Sequence, residues 1–466
     1  MSFKSFSWCF LLQLGCITMV FCQKTEQLTL TKAIETAEKN YPAIKAAQFR
    51  KESTNQVVKA RRDEHLPGLI WQNQLTYATA NGAVGTFWPN EGYAMPTSGA
   101  NRPDGQNSSN FSFGSYSTLA INWPAFSFGR IKARVDEAKA RNAEAEAEYQ
   151  NEVFQQKVKV ADAYLLLLNQ QKIVLAEQQN VKRAESLKQT ITAAAQSGLR
   201  PGADSSYINA EYSKSKILLL EAQGREKSYK IRLAELMGIS NYQVEADTMN
   251  FFRDFPQSTV QTELKTENNP LLKVYDLRIK SSIARAHATQ KSYLPSLRLL
   301  AAGIARGSGI SNMDANVMSP LFSQGVPYKV YNALFGVYFL WNVMDYPRIR
   351  REYKAQVFES EEAKAVYEEE KLKIEGQMEN AQIQFQIAQS QSLEAPIQLN
   401  SAIDAYNQSN ARYKSGLSTI VELTQSSYIL ARAQTDFAIS RTNLWRAQLL
   451  KAAAVGNFDL FIQNVK

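Results

Sequence analysis

Between residues 108 and 123 the chain reads SSNFSFGSYSTLAINW, with small or polar residues alternating with apolar ones. Asn110, Ser112, Gly114, Tyr116, Thr118, Ala120 and Asn122 hold the even positions, while Phe111, Phe113, Leu119, Ile121 and Trp123 fall on odd ones. Period-two alternation predicts a strand with one apolar face. About ten such residues closing on an aromatic is the pattern of a lipid-facing barrel strand with an interfacial girdle. NALFGVYFLW, residues 332–341, puts Phe335, Val337, Phe339 and Trp341 on the equivalent face. That stretch is far short of the ~20 apolar residues of a spanning helix but matches the ~9–11 of a tilted membrane strand. Two further strands are predicted at about Leu69–Ala80 and Ser296–Arg306, the second with poor alternation. A soluble hairpin is the competing reading; aromatic density and an export signal weigh against it.

Elsewhere the apolar positions recur at helical spacing. Val153, Val160, Leu167, Val174 and Val181 form a seven-residue ladder, and Ile374, Ala381, Ala388, Ala395 and Ala402 repeat it with smaller side chains. Such a period is the seam of a coiled coil. The helical stretch from Arg130 to Gln196 has 67 residues, which at a rise of ~1.5 Å each would span ~100 Å. Shorter helices at about Thr31–Glu64 and Glu263–Ser292 should end just before Leu66-Pro67 and Leu294-Pro295, because proline disfavours helix in the residue ahead of it. Pro396 is expected to kink the later long helix.

The landmarks come in pairs. Pro67 and Pro295 are 228 residues apart, as are Pro42 and Pro270. Beyond the strands the spacing becomes 218: Trp123 with Trp341, Arg130 with Arg348, Gly198 with Gly416, Gly238 with Gly456. A fixed offset with one ten-residue change marks a duplicated unit. The organisation expected is a signal segment 1–22, a first repeat 23–240, a linker 241–262, a second repeat 263–457 and a tail 458–466. The fold class is mostly α with a membrane β-barrel portion, each chain giving four strands and long coiled-coil helices. Four strands cannot close a barrel, and open edges are not tolerated in lipid, so several copies must combine.

Composition narrows the function. With 21% charged residues the chain is not a polytopic helical membrane protein. Lys4, the apolar run from Trp8 to Phe21 and the polar Gln23 form a secretory signal, with Val20 and Cys22 as small residues ahead of the cut. Lipidation at Cys16 or Cys22 competes, but neither has Leu three residues upstream. All three cysteines (Cys9, Cys16, Cys22) precede that cut, which removes disulfides, thiol catalysis and Cys-bound metal from the mature chain. The net charge of +9 comes from interspersed acids and bases, as in RIKARVDEAKARNAEAEAE, a solvated helix surface rather than a nucleic-acid patch. The two histidines, His65 and His287, have no partners at catalytic or metal-ligand spacing. No phosphate loop, nucleophile elbow or zinc motif appears. Neither an enzyme nor a cofactor or metal is expected.

Taken together, Tyr41-Pro42, Asn269-Pro270, the two Leu-Pro pairs, FSFGRIKARVDEAKA after the second strand, YKSGLSTIVEL (413–423) and AQSGLRPGADS (195–205) resemble the TolC-type outer-membrane efflux family over nearly all of the mature chain. The resemblance implies a homotrimer with a twelve-stranded outer-membrane barrel, embedded in outer-membrane lipid, and a long periplasmic helical tunnel. It implies docking through a periplasmic adaptor protein onto an inner-membrane pump or ABC exporter, as a passive exit duct. Trp123 and Trp341 would belong to the barrel's aromatic girdle. The turns Ser197-Gly198-Leu199 and Ser415-Gly416-Leu417 match the tips that meet the adaptor. A periplasmic coiled-coil adaptor or scaffold is the alternative; it would share the heptads but needs no aromatic strands.

The same resemblance places a pore-lining acid at Glu422. Gln425 stands where a second acid is usual, so one carboxylate ring is missing or replaced by amides. Three converging carboxylates would repel one another and attract cations; the plain alternative is that Glu422 is a solvated helix residue. Tyr413 and Asp204 fall at positions of the network that closes the tip, Ser418 stands where a closing arginine is usual, and Arg200 is the candidate substitute.

Overall fold

A computed structural model of the chain describes residues 28–79, 81, 108–240, 245–247, 251, 268–311 and 317–465. The signal segment 1–22 and most of the linker 241–262 lie outside them. The chain divides into two compact units, one of residues 1–42, 154–264 and 378–466, the other of residues 43–153 and 265–377.

The second of these units holds the sheet. β1 (Gly68–Ala78), β2 (Ser112–Phe126), β3 (Ser296–Ser308) and β4 (Val330–Leu340) run in the order β1-β2-β3-β4, each pair antiparallel. The predicted strands are therefore present with shifted ends. β2 runs past Trp123 to Phe126, and its register slips between those residues. Pro124 falls in this gap and cannot donate to the ladder, which fits a bulge at the end of a strand. β3 pairs with a strand on each side in spite of its weak alternation.

Helices flank the sheet in the chain. The helix expected over Thr31–Glu64 is two: α1 (Leu30–Asn40) and α2 (Pro42–Asp63). Tyr41 between them has extended geometry, φ −66° and ψ 124°, which is what a following proline imposes. Beside α2 runs the start of α3 (Arg130–Gln196), tied to it by Lys51 to Glu146 at 2.6 Å and Arg50 to Glu148 at 3.3 Å. α5 (Pro270–Lys291) joins the same stretch of α3 through Arg278, 3.0 Å from Glu144 and 3.4 Å from Glu148. Asn269 caps α5 by accepting the Leu271 N–H at 2.9 Å.

The other unit is a pair of helical hairpins around a core. α3 continues to Gln196 and turns into α4 (Gly202–Met237); α6 (Tyr346–Lys414) turns into α7 (Ile420–Val455). α6 contains Pro396 and is not ended by it. Val160, Leu167 and Val174 of the first ladder are buried, and so is every member of the second, from Ile374 to Ala402. Ala388 packs with Leu444, and Ala402 with Leu430 and Ala433, so the ladder of α6 faces α7. Leu30, Ile34, Val160, Leu165, Leu233 and Leu449 belong to the main core, with the buried Trp445 indole donating to the Phe251 carbonyl at 2.8 Å.

All four hairpin helices end alike. Gly198, Gly238, Gly416 and Gly456 have φ between +68° and +79°, a left-handed backbone that glycine adopts freely. At each, the N–H one residue on returns to the carbonyl five residues back: Leu199 to Ala194, Ile239 to Ala234, Leu417 to Arg412, Asn457 to Ala452. This is the Schellman cap. Among the described residues no helix is long and apolar enough to cross a membrane.

Candidate functional site

The sheet has two chemically different faces. Leu69, Trp71, Leu75 and Tyr77 of β1 share one with Leu119, Ile121 and Trp123 of β2 and with Phe335, Val337 and Phe339 of β4. These side chains are exposed, Phe335 at 82% and Trp71 at 73%. Such a contiguous apolar surface is foreign to a water-soluble monomer. The opposite face is polar: Asn122 Nδ2 donates to the Tyr338 hydroxyl at 3.2 Å, and Arg298 Nη1 donates to the same oxygen at 3.3 Å. Eleven-residue strands such as β1 and β4, tilted as in barrels, rise ~28 Å, close to the ~25 Å apolar band of an outer-membrane barrel.

Aromatics gather where the strands meet the helices. Trp123 donates its indole N–H to the His65 carbonyl at 2.8 Å, at the corner between α2 and β1. Trp341 lies edge-on to Tyr293, centroids 5.6 Å apart, and Tyr293 meets Tyr346 at 5.2 Å. At the opposite end of the strands the segment 319–328 folds onto the apolar face. Ser115 Oγ donates to the Val326 carbonyl at 2.7 Å, and the Tyr328 hydroxyl donates to Asn73 Oδ1 at 3.3 Å. These bonds explain two polar residues on that face, which alternation alone did not anticipate.

At the tips of the hairpins the two turns come together. Ile191, Ile208, Tyr413, Ile420 and Leu423 form one buried cluster drawn from α3, α4, α6 and α7. Arg200, half-buried in the first turn, donates from Nη2 to the Tyr413 carbonyl at 3.1 Å and lays its guanidinium 4.7 Å from that ring's centroid. Burial raises the Tyr413 phenol above its ordinary pKa, with nearby Asp204 adding to the shift and Arg200 opposing it. The Tyr413 hydroxyl is buried without a hydrogen-bond partner among the described residues, as is Ser418 Oγ. The closing contact inside one chain is thus the Arg200 guanidinium on the ring and carbonyl of Tyr413, with Asp204 near but not bonded to the phenol. Lys182, Arg183, Arg200 and Lys414 line the adjoining groove of about 490 Å³.

Glu422 and Gln425 are both exposed on the first turns of α7. The Glu422 N–H donates to Thr419 Oγ1 at 3.3 Å, so Glu422 is the third residue after a threonine N-cap. That position favours an acid by itself, as a capping box and against the helix dipole. Leu199 and Leu417 stand out at 78% and 70% exposure beside Ser197, Gly198, Ser415 and Gly416. Among the described residues no group of His, Cys, Asp or Glu is placed to hold a metal ion.

The profile described as "Outer membrane efflux protein" matches residues 33–239 and 263–456. The chain belongs to this family. Its fold is shared with solved outer-membrane proteins of low sequence identity. VceC of Vibrio cholerae superposes with a TM-score of 0.72 at 15% identity, over 92% of this chain and 96% of VceC. The CmeC outer membrane channel of Campylobacter jejuni gives 0.72 at 15%, covering 92% and 86%. The MtrE outer membrane channel of Neisseria gonorrhoeae, solved in an open state, gives 0.71 at 14%, covering 92% and 89%. No curated protein sequence matches the chain significantly. This efflux protein therefore resides in the outer membrane, and the adaptor alternative falls. The apolar face of its sheet suits contact with lipid, and the Arg298–Tyr338–Asn122 face is its polar opposite.

Proposed function

We propose that three copies of this efflux protein close one twelve-stranded barrel and one helical tunnel, forming a passive exit duct of a tripartite efflux or type I secretion system. The observation that carries the reading is the pair of free edges, β1 and β4, on a sheet whose outer face is apolar. Unpaired backbone groups are too costly in hydrocarbon, and three four-stranded sheets give a barrel of ordinary outer-membrane size. Each copy is a duplicated unit, exported by its first 22 residues. The chain supplies no catalysis; the pump or ABC exporter supplies the energy.

Docking on the periplasmic adaptor uses the turns Ser197–Leu199 and Ser415–Leu417, whose exposed leucines would be covered by the partner. The gate is the tip. Arg200 and Tyr413 hold the turns together with Asp204 close by, and Ser418 is too short to reach across. Glu422 rings the lumen as a cation filter, one turn before Gln425. Mass measurement in detergent tests the assembly: about three times the mass of one mature chain, which is the 52.4 kDa of the full sequence less its first 22 residues, is expected. A monomer, or a mass that varies with dilution, would refute the closed barrel.

A further inference from the structure

Where α5 ends and α6 begins, a cavity of about 430 Å³ is lined by Lys291, Tyr293, Tyr346, Arg350, Tyr353 and Lys354. It is continuous with the membrane belt, because Tyr293 touches both Trp341 at the end of the lipid face and Tyr346 at the start of α6. Ile349, which also lines the cavity, is buried. The acids of this rim are already engaged: Asp345 and Glu352 pair with Arg348 at 3.3 and 2.8 Å, and Glu359 with Arg285 at 3.5 Å. Lys291, Arg350 and Lys354 have no carboxylate partner among the described residues. Three unpaired cations and three phenols therefore share one concave site at the membrane boundary.

The spacing matches a headgroup layer. Tyr346, Arg350 and Lys354 follow one another at four-residue intervals, so they stack on one face of α6. Arg350 lies ~6 Å and Lys354 ~12 Å further along the helix than Tyr346. The polar layer of a leaflet is ~5–7 Å deep beyond the hydrocarbon. Tryptophan and tyrosine mark the hydrocarbon edge, which leaves Arg350 level with the phosphates. A guanidinium forks two phosphate oxygens, and lysines add point charge around them.

We propose that this cavity binds the phosphate headgroup of an anionic phospholipid in the leaflet that faces the periplasm. Acyl chains would run up the face of Phe339 and Trp341 while Lys291, Arg350 and Lys354 hold the phosphate and the tyrosine hydroxyls donate to it. The site rests on the membrane orientation of the sheet, which cysteine labelling checks independently (see Discussion).

The test is native mass spectrometry of the full chain in non-ionic detergent, titrated with phosphatidylglycerol or phosphatidylcholine. Preferential retention of phosphatidylglycerol is expected. The triple variant K291Q/R350Q/K354Q should lose it by at least about tenfold, since each cation near an anionic surface is worth a factor of about five. Arg348→Gln, at the same rim but already shared between two acids, should retain the lipid as the native protein does. Equal loss in Arg348→Gln, no loss in the triple variant, or displacement by millimolar inorganic phosphate would each overturn the proposal. Should the triple variant not assemble, the native protein still decides: no preference for phosphatidylglycerol over phosphatidylcholine would sink the idea.

Discussion

Arg200 of the first turn clamps Tyr413 of the second, bonding its carbonyl at 3.1 Å and covering its ring at 4.7 Å. If this contact keeps the tip closed, Arg200→Ala should raise the open probability in planar bilayers several-fold. Arg200→Lys should fall between, because lysine keeps the charge over the ring but lacks the planar fork. Tyr413→Phe should change little, since the phenol oxygen makes no bond inside the chain and leaving it out removes an unsatisfied buried group. Opening by Tyr413→Phe to the extent of Arg200→Ala would show that the hydroxyl, not the clamp, closes the tip.

Glu422 has two jobs to separate. As the third residue of α7 it helps to start the helix; as a lumen ring it would filter cations. Glu422→Gln should leave thermal stability nearly unchanged, because an exposed charge contributes little. It should lower cation selectivity and weaken block by multivalent cations applied from the periplasmic side. Unchanged selectivity and block would leave Glu422 as a helix-starting residue alone.

Four glycines share one backbone conformation, yet they should not respond alike to alanine. A Cβ at Gly198 or Gly416 meets nothing within 4 Å, whereas at Gly238 it falls 2.9 Å from the Asn40 carbonyl carbon and oxygen. Gly198→Ala and Gly416→Ala should cost only the left-handed backbone penalty of about 1–2 kcal/mol. Gly238→Ala adds an overpacking cost of about 1–3 kcal/mol, because neither backbone can yield. Thermal melting should rank Gly238→Ala clearly lowest; equal midpoints would contradict the close approach of α1 to the end of α4.

Orientation can be read on whole cells, since every cysteine lies in the first 22 residues. Ser109→Cys, exposed ahead of β2, should react with an impermeant maleimide on intact cells. Ser415→Cys should react only after the outer membrane is opened. The reverse pattern would invert the topology.

Burial raises the phenols of Tyr164, Tyr406 and Tyr413 above their ordinary values. Each is held protonated in the fold, so its contribution is complete below the unfolded value near ~10 and is lost as pH rises from there toward the folded value. Stability of the hairpin unit should therefore fall above about pH 10. A flat profile to pH 12 would mean that these rings reach water.

Much of this was legible in the chain because the relevant periods are local. Alternation found β2 and β4, the seven-residue ladder found the buried seams, and Ser-Gly-Leu marked the turns at Gly198 and Gly416. The capping box Thr419-x-x-Glu422 was also readable, and offers a plain reason for the acid that the resemblance assigned to the pore. What escaped depends on contacts between distant segments. Arg446 reaches Asp162 at 2.7 Å across 284 residues, and no local pattern links them. The covering of Ser115 by Val326 and the meeting of Tyr293 with Trp341 are of the same kind. The break at Tyr41 was visible in Pro42, but helical periodicity on both sides masked it.

The hairpin helices also set a rule for which insertions the gene can accept. α4 and α7 are 36 residues each, and both end on glycines 218 apart. One inserted residue would rotate everything beyond it by ~100° and advance it by ~1.5 Å. In α3 that would swing Leu167 and Val174 off their seam and push one turn out of step with the other. The ten-residue discrepancy between the halves falls instead between the Leu-Pro pairs and the tryptophans, in the strand-and-loop stretch. Length can drift there, whereas in the hairpins a single codon gained or lost would throw two coupled helices out of phase.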